Sequence, residues 1–139
     1  MSKRTVQFSI VTTERTVYEN AVHSITLPTG GGEITVLPNH IPLVSTIGTG
    51  AITVKTEDGE QLFAVSGGVL EVRRDNSVVV LAGNTEPAEE IDIGRAQAAY
   101  DRAKAYLEEK RDMADVDYAR MQALLEKNLN RITIARNRA

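Results

Sequence analysis

The sequence predicts an α+β protein, with an N-terminal antiparallel β-sandwich over residues 1–86 and a C-terminal antiparallel two-helix hairpin over residues 87–139. Two observations predict this division. All four prolines and nine of the ten glycines lie within residues 1–88, and the chain beyond is rich in alanine, glutamate, lysine and arginine. The spacing of apolar residues also lengthens from two to about 3.6 at this point, between Gly83 and Pro87.

The first segment, residues 5–10, shows the alternation of a strand with one buried face. Val6, Phe8 and Ile10 are apolar, whereas the residues between them are polar. Further runs of β-forming residues follow at residues 21–27, 34–37, 43–47, 51–56, 61–65, 69–73 and 77–82. We expect a tight hairpin at Asp58-Gly59 and another turn at residues 74–76. Seven or eight short strands at this spacing indicate a β-sandwich or barrel.

Two stripes of apolar residues at helical spacing follow. The first consists mostly of alanine: Ala96, Ala99, Tyr100, Ala103 and Leu107. The second comprises Tyr118, Met121, Leu125, Leu129 and Ile132. An acidic connection over residues 112–117 allows Asp115 to cap the second helix, and so short a connection predicts an antiparallel hairpin. Because apolar stabilisation is about 25 cal/mol per Å² buried, the alanine stripe predicts a loosely docked hairpin.

Composition argues against several classes of function. A net charge of −3 and a pI near 5.4 argue against general binding to nucleic acids or anionic membranes. The chain has no cysteine, which excludes disulfides, thiol nucleophiles and thiolate metal sites. No apolar run is long enough to span a bilayer, and the first residues lack the apolar core of a signal peptide. We therefore expect a soluble, intracellular protein.

Catalytic signatures are incomplete. His23 and His40 are the only histidines, and they do not form a metal-binding pair. Ser66-Gly67-Gly68 resembles part of a nucleophile elbow, but Ala64 stands where that motif needs glycine. Gly48-Thr49-Gly50 begins like a dinucleotide-binding loop, but no helix is predicted after it. The sequence also lacks a phosphate-binding loop of the Walker type, so it predicts a protein without catalytic activity.

Charge is segregated along the predicted hairpin. Residues 89–117 carry five basic and nine acidic side chains, whereas residues 118–139 carry five basic and one acidic side chain. One interpretation is that the opposite charges steady the hairpin itself and complement the helix dipole. The other is that the basic last helix has an acidic partner elsewhere.

Three stretches, in this order and spacing, closely resemble one family. The first is Gly32-Glu33 leading to LPNHIPLV at residues 37–44. The second is AVSGGVLEV at residues 64–72, and the third is IDIGRA at residues 91–96, where the alanine-rich hairpin begins. Together they resemble the epsilon-subunit family of bacterial F-type ATP synthases, and the resemblance covers essentially the whole chain.

The resemblance implies a non-catalytic rotor subunit in the central stalk of a proton-translocating ATP synthase. Its sandwich would bind the gamma subunit and the c-ring. Its hairpin would either fold against the sandwich or extend to the alpha and beta subunits of the catalytic head and inhibit ATP hydrolysis. It would be a peripheral protein at the cytoplasmic face of the bacterial membrane, associated with the membrane only through the complex and binding no nucleic acid.

Glu33 and His40 match family positions in loops that face the c-ring. From the sequence alone, a solvated acid in a turn and an ordinary loop histidine are the favoured interpretations of these two residues. Thr35 and Asn39 stand where the family usually has glycine, and asparagine accepts the positive φ that such a turn requires. The double glycine Gly67-Gly68 matches the family and implies only a close backbone approach or a bulge.

The stretch at residues 91–96 matches a motif that binds ATP in some family members. The resemblance implies that Arg95 and Arg131 pair with phosphates, while Asp92 meets the ribose-base end or caps the first helix. Without the resemblance, a capping Asp92 and a solvated Arg95 are expected. No cofactor is required, and ATP is the candidate regulatory ligand. The candidate nucleotide-binding residues are Glu86, Ile91, Asp92, Arg95, Lys127 and Arg131.

Lys127 stands where ATP-binding members tend to have arginine. Lysine keeps the charge but loses bidentate geometry, which predicts a lower affinity for ATP. The basic last helix also supplies the candidate contacts with the catalytic head: Arg120, Lys127, Arg131, Arg136 and Arg138. The rival hypothesis is a free-standing nucleotide-sensing module with no obligate partner, and co-purification with gamma distinguishes the two.

Overall fold

A computed structural model of the chain describes residues 4–109 and 115–137. The described residues form two compact units, divided between Pro87 and Ala88. The first unit contains eight strands and the second contains two α-helices, in the order that the change of apolar spacing predicts. Among the described residues, no helix is long and apolar enough to cross a membrane.

The strands of the first unit form one continuous hydrogen-bonded sheet that folds over on itself. Their order is β2-β1-β7-β6-β5-β3-β4, and β8 pairs with β6 beside this path. All neighbouring strands are antiparallel except β1 and β7, whose parallel pairing the sequence did not predict. The strands are β1 Val6–Val11, β2 Thr16–Val22, β3 Ser24–Thr29, β4 Gly32–Val36, β5 Leu43–Thr56, β6 Gly59–Val72, β7 Ser77–Ala82 and β8 Thr85–Pro87.

The two long strands β5 and β6, of 14 residues each, belong to both layers of the sandwich. Beyond Gly67, β6 pairs with β7, whereas before it the strand pairs with β8. The register between β5 and β6 stays constant from Leu43↔Val72 to Thr56↔Gly59, although Gly67 within β6 has a φ of 83°. The predicted runs 43–47 and 51–56 are one strand, as are 61–65 and 69–73, because the pairing of β5 with β6 continues in the same register on both sides of the glycines.

The core lies between the two layers. The ring of Tyr18 in β2 meets the ring of Phe63 in β6 edge-on at 5.0 Å and lies 6.1 Å from that of Phe8 in β1. Such tilted aromatic contacts add to the stabilisation from buried area. The alternating residues of β1 that the sequence assigns to the core are all buried, as are the largest members of the core: Phe8, Ile10, Ile25, Leu27, Ile52, Phe63 and Leu70.

Three predicted boundaries are wrong. The run 21–27 is two strands, since Val22 ends β2 and the His23 N–H donates to the Lys55 carbonyl at 2.8 Å before β3 begins. The hairpin between β5 and β6 turns at residues 57–58 rather than at Asp58-Gly59, and Gly59 already pairs with Thr56. The stretch between Gly83 and Pro87, where the sequence places the end of the strands, contains one further strand, β8, in which Pro87 comes last and therefore interrupts no further pairing.

The second unit begins with a short 3₁₀ helix, Ala88–Glu90, followed by α1 (Ile93–Glu109) and α2 (Asp115–Asn137), which pack against each other. In α1 every member of the predicted stripe is buried or half-buried. The turn predicted at residues 74–76 in the first unit is also present. The side chain of Asp115, predicted to cap α2, lies outside the described residues.

The stripe predicted for α2 is partly wrong. Met121, Leu125 and Ile132 are half-buried or buried, but Tyr118 and Leu129 are 51% and 49% exposed. Leu129 was predicted to be buried, but its neighbour Asn128 is buried instead and is only 4% exposed. The spacing explains this outcome, because residues 121, 125, 128, 132 and 135 lie on one face of a helix, and position 129 is rotated away from it.

Candidate functional site

The first candidate surface is the loop between β4 and β5, residues 37–42. Three apolar side chains at this end of the sandwich are largely exposed: Leu37 at 56%, Ile41 at 76% and, at the start of β5, Val44 at 71%. An open cleft of about 390 Å³ lies beside the loop, between residues 42–44 and residues 71–74. Apolar side chains clustered in an exposed loop are typical of a surface that a protein partner covers.

His40 lies within this loop and is half-buried. Its Nδ1 is 2.8 Å from the carbonyl oxygen of Ile41. Because a carbonyl oxygen accepts but cannot donate, Nδ1 carries the proton of the neutral ring and Nε2 carries the lone pair. The imidazole therefore offers a partner an acceptor at Nε2 when it is neutral and a donor there when it is protonated.

Glu33, the other candidate for the c-ring, is exposed in β4 and pairs with Pro28. It lies near the start of β4, whereas His40 lies in the loop that follows the end of that strand. Thr35 pairs with Thr26, and their hydroxyls are 2.9 Å apart. The extended strand therefore accommodates the threonine where the family usually has glycine.

Asn39 has a φ of 63°, as predicted for an asparagine that replaces glycine in this turn. Its backbone N–H donates to Oδ1 of Asn76 at 2.8 Å. Asn76 ends the turn between β6 and β7, and no pattern in the sequence predicts that this turn contacts the loop. In the same turn, the Ser77 hydroxyl donates to Asp75, and this hydrogen bond holds the pKa of the Asp75 carboxyl below its ordinary value.

The second candidate surface is the start of α1. Oδ1 of Asp92 accepts a hydrogen bond from the backbone N–H of Arg95 at 3.0 Å, and the Asp92 carbonyl accepts from Ala96 N–H at the same distance. These contacts confirm Asp92 as the helix cap. The Arg95 side chain is exposed, as expected of a solvated arginine, and Ile91 is buried.

The third candidate surface is one face of α2. Arg120, Lys127 and Arg131 are spaced by seven and four residues, which places them on the same side of the helix. Arg120 is exposed, and the other two are half-buried. The guanidinium of Arg131 donates through Nη1 to Oδ1 of Asn128 at 3.1 Å. Arg136 is exposed at a different angle around the helix, and Arg138 lies outside the described residues.

Asn128, which the predicted apolar stripe did not include, is hydrogen-bonded to Arg131 of this surface. Its Nδ2 donates to the Leu124 carbonyl at 2.8 Å while its Oδ1 accepts from Arg131, so both ends of the buried amide are satisfied. In the sequence, the only indication of this role is that Asn128 is a polar residue at a helical spacing otherwise occupied by apolar residues. Arg131, which donates to the Asn128 amide, is also one of the two arginines that the resemblance assigns to phosphate binding.

The candidate nucleotide-binding residues are divided between the two units. Glu86 lies in β8 and pairs with Ala64 in the first unit, whereas the remaining five lie in the second. The 3₁₀ helix before α1 contacts α2. Among the described residues, no group of three or more acidic or histidine side chains is placed to hold a metal ion.

Comparisons with known proteins identify the family. The family model described as "ATP synthase, Delta/Epsilon chain, beta-sandwich domain" matches residues 5–88, and that described as "ATP synthase, Delta/Epsilon chain, long alpha-helix domain" matches residues 89–136. The ATP synthase epsilon chain of Bacillus velezensis is 39% identical over 96% of this chain and 99% of its own length. That of Desulfitobacterium hafniense strain Y51 is 38% identical over 96% and 98%.

Solved structures show the same fold. A chain of the mitochondrial ATP synthase of Euglena gracilis aligns with a TM-score of 0.77 at 22% identity, covering 94% of this chain and 81% of that one. A chain from the central stalk and c-ring of the Tetrahymena thermophila mitochondrial ATP synthase aligns with a TM-score of 0.56 at 14% identity, covering 98% and 97%. With a β-sandwich followed by two packed helices, and with both family models matched in order, this chain belongs to the family of ATP synthase delta/epsilon chains.

Proposed function

We propose that this chain is the non-catalytic epsilon subunit in the central stalk of a proton-translocating F-type ATP synthase. Residues 1–86 bind the gamma subunit and the c-ring, and thereby help to couple rotation of the ring to ATP synthesis. Residues 87–139 form a regulatory arm that inhibits ATP hydrolysis. The observation that carries the proposal is the match of both family domains, in order, across residues 5–136.

The loop at residues 37–42 supports the contact with the c-ring. Leu37 and Ile41 expose more than half of their surface, which favours a site that is covered in an assembly. His40 adds a ring nitrogen that donates or accepts according to its protonation state. Glu33, exposed at the start of β4, offers a carboxylate to a cationic group of the ring.

The basic face of α2 supports the inhibitory role. Arg120, Lys127 and Arg131 share one side of α2, and residues 118–139 of the sequence carry five basic side chains and one acidic side chain. Such a stripe favours an acidic partner, and the alpha and beta subunits of the catalytic head are the partners that we propose when the arm is extended. Arg136 and Arg138 extend the same basic segment toward the end of the chain.

ATP is the regulatory ligand that we propose for the second unit, and no cofactor is required. The exposed guanidinium of Arg95 at the start of α1 and the cations of Lys127 and Arg131 on α2 are the groups that would bind phosphates. Asp92 already uses Oδ1 to cap α1, so its contribution is to fix the backbone from which Arg95 projects. Glu86 and Ile91 flank the start of the second unit.

Within the complex, the chain is a peripheral protein on the cytoplasmic face of the bacterial membrane, attached only through its partner subunits. Its net charge of −3 supports attachment through proteins rather than through anionic lipids or nucleic acids.

Co-purification with the gamma subunit tests the proposal. The tagged chain, expressed with gamma and with the alpha and beta subunits of its own organism, should retain gamma in equal amounts through size-exclusion chromatography. A chain that binds ATP in calorimetry but never retains gamma would instead support the free-standing nucleotide-sensing module.

A further inference from the structure

Three segments that are far apart in sequence meet at the side chain of Asn76. Its Nδ2 donates to the Thr5 carbonyl at 2.8 Å, just before β1, and its Oδ1 accepts from the Asn39 N–H at 2.8 Å. Its own carbonyl accepts from the Gln7 N–H at 3.2 Å. One carboxamide therefore joins the start of β1 and the turn between β6 and β7 to the loop at residues 37–42.

The residue type at this position is closely specified. Asn76 has a φ of 63°, a conformation that asparagine and glycine adopt more readily than other residues. Glycine would keep the backbone but remove the bridge. Aspartate would still accept from the Asn39 N–H, but it has no N–H to donate to the Thr5 carbonyl. Only a carboxamide of this length supplies the donor and the acceptor together.

Within the described part of the chain, the other hydrogen bonds of the loop are local, so the loop depends on this attachment. The hydrogen bond from the His40 N–H to the Leu37 carbonyl at 3.1 Å lies within the loop, as does the contact between His40 Nδ1 and the Ile41 carbonyl. Pro38 and Pro42 have no backbone N–H with which to bind the neighbouring strands. The bond between Asn39 and Asn76 ties the middle of the loop to the sandwich.

We infer that Asn76 is a positioning residue, which holds the loop at residues 37–42 in the shape that presents Ile41 and His40 to a protein partner. In identifying that partner as the c-ring, the inference rests on the proposed function. Asn76 acts through Asn39 and need not touch the ring.

Hydrogen exchange in the isolated full-length chain tests the positioning directly. In Asn76→Gly, the Asn39 amide should exchange about tenfold faster by NMR, because it loses its acceptor. Asn76→Asp keeps an acceptor and should preserve most of the protection. The control is Asp75→Gly in the same turn, whose side chain binds Ser77, and it should leave Asn39 unchanged. Equal exchange rates in the wild type and Asn76→Gly would overturn the inference.

Affinity for detergent-solubilised c-rings tests the consequence. Asn76→Gly should weaken binding by about tenfold, and Asp75→Gly by less than about twofold. If Asn76 acts through the loop, its effect should fall below about threefold once Ile41 and His40 are replaced by alanine, because the positioned groups are then gone. An undiminished effect in that background would assign Asn76 a general structural role and overturn the inference.

The two proposals fail separately. If the wild-type chain does not bind c-rings, the proposed contact with the ring is wrong, whereas the positioning of the loop is still decided by exchange at Asn39. If the wild type binds c-rings and Asn76→Gly binds equally well, the proposed function stands and the inference is wrong.

Discussion

At Gly68 the absence of a side chain lets the backbones of β6 and β7 approach each other closely. Its φ is 150°, and a Cβ built there would collide with the backbone carbonyl oxygen of Leu81 in the neighbouring strand and touch the Cα of Ala82. At this point β6 passes from pairing with β8 to pairing with β7. A close backbone approach or a bulge was the structural expectation for this double glycine, and the structure contains the close approach, at Gly68.

The substitution Gly68→Ala should lower the free energy of unfolding by about 3 kcal/mol, because backbone atoms in the way cannot rotate aside as a side chain can. Urea denaturation followed by circular dichroism measures the change. The matched control is Gly31→Ala, where an added Cβ meets nothing within 4 Å, and its effect should stay within about 0.5 kcal/mol. Equal stabilities of the two variants would refute the steric argument.

At the scale of the element, the two helices are specified differently. α1 begins where its capping residue predicts, because Asp92 satisfies a backbone N–H that the helix leaves unpaired. α2 buries a face that includes Asn128 rather than Leu129, because the amide finds partners in the Leu124 carbonyl and in Arg131. Hydrophobicity alone therefore misplaces the buried face of α2.

Removing the cap should weaken the second unit. Asp92→Ala should cost about 1 kcal/mol of unfolding free energy, whereas Asp92→Asn should cost little because the amide oxygen still accepts from the Arg95 N–H. Thermal and urea denaturation of the full chain measure both. Glu108→Ala, at an exposed position of α1, is the control for the loss of an acidic side chain. A stable Asp92→Ala variant would show that the cap contributes nothing.

Lys127→Arg tests the proposed nucleotide contact. A guanidinium can bind phosphate oxygens in pairs, so we expect the affinity for ATP to rise by about fivefold, or about 1 kcal/mol. Isothermal titration of the full chain with ATP measures it. Arg120→Lys, on the same face of α2 but outside the proposed contact, should leave the affinity within about twofold. No gain from Lys127→Arg would place residue 127 away from the phosphates.

At the scale of the whole molecule, the two units carry two different kinds of surface. The first unit exposes an apolar loop, and the second carries a helix with a basic face. Each surface suits a different kind of partner, since apolar loops favour permanent contacts and exposed charges favour contacts that form and break. This division supports the proposal that the first unit attaches the chain to its partners and the second unit regulates.

Replacing Arg120, Lys127 and Arg131 together by alanine should relieve inhibition. In a reconstituted complex of the catalytic head with gamma, ATP hydrolysis should rise by about five- to tenfold, as the loss of three modest charge contacts implies. The control variant combines Arg102→Ala and Lys104→Ala, which remove exposed basic side chains from α1. Unchanged hydrolysis in the triple variant, with the chain still bound to gamma, would contradict the inhibitory role of this face.

The sequence by itself determined the fold class, the family, the two helices and most of the strands. The family follows from the resemblance of three stretches of sequence, and the rest follows from periodicity and local chemistry, such as the alternation around Phe8, the cap at Asp92 and the turn at residues 74–76. Only the tertiary structure decided the parallel pairing of β1 with β7 and the passage of β5 and β6 through both layers. It also decided the burial of Asn128 and the bridge from Asn76 to Asn39. The strand pairings and the bridge join residues that are distant in sequence, and the burial of Asn128 depends on the hydrogen-bond partners that its amide finds. Neither can be predicted from the spacing of residue types along the chain.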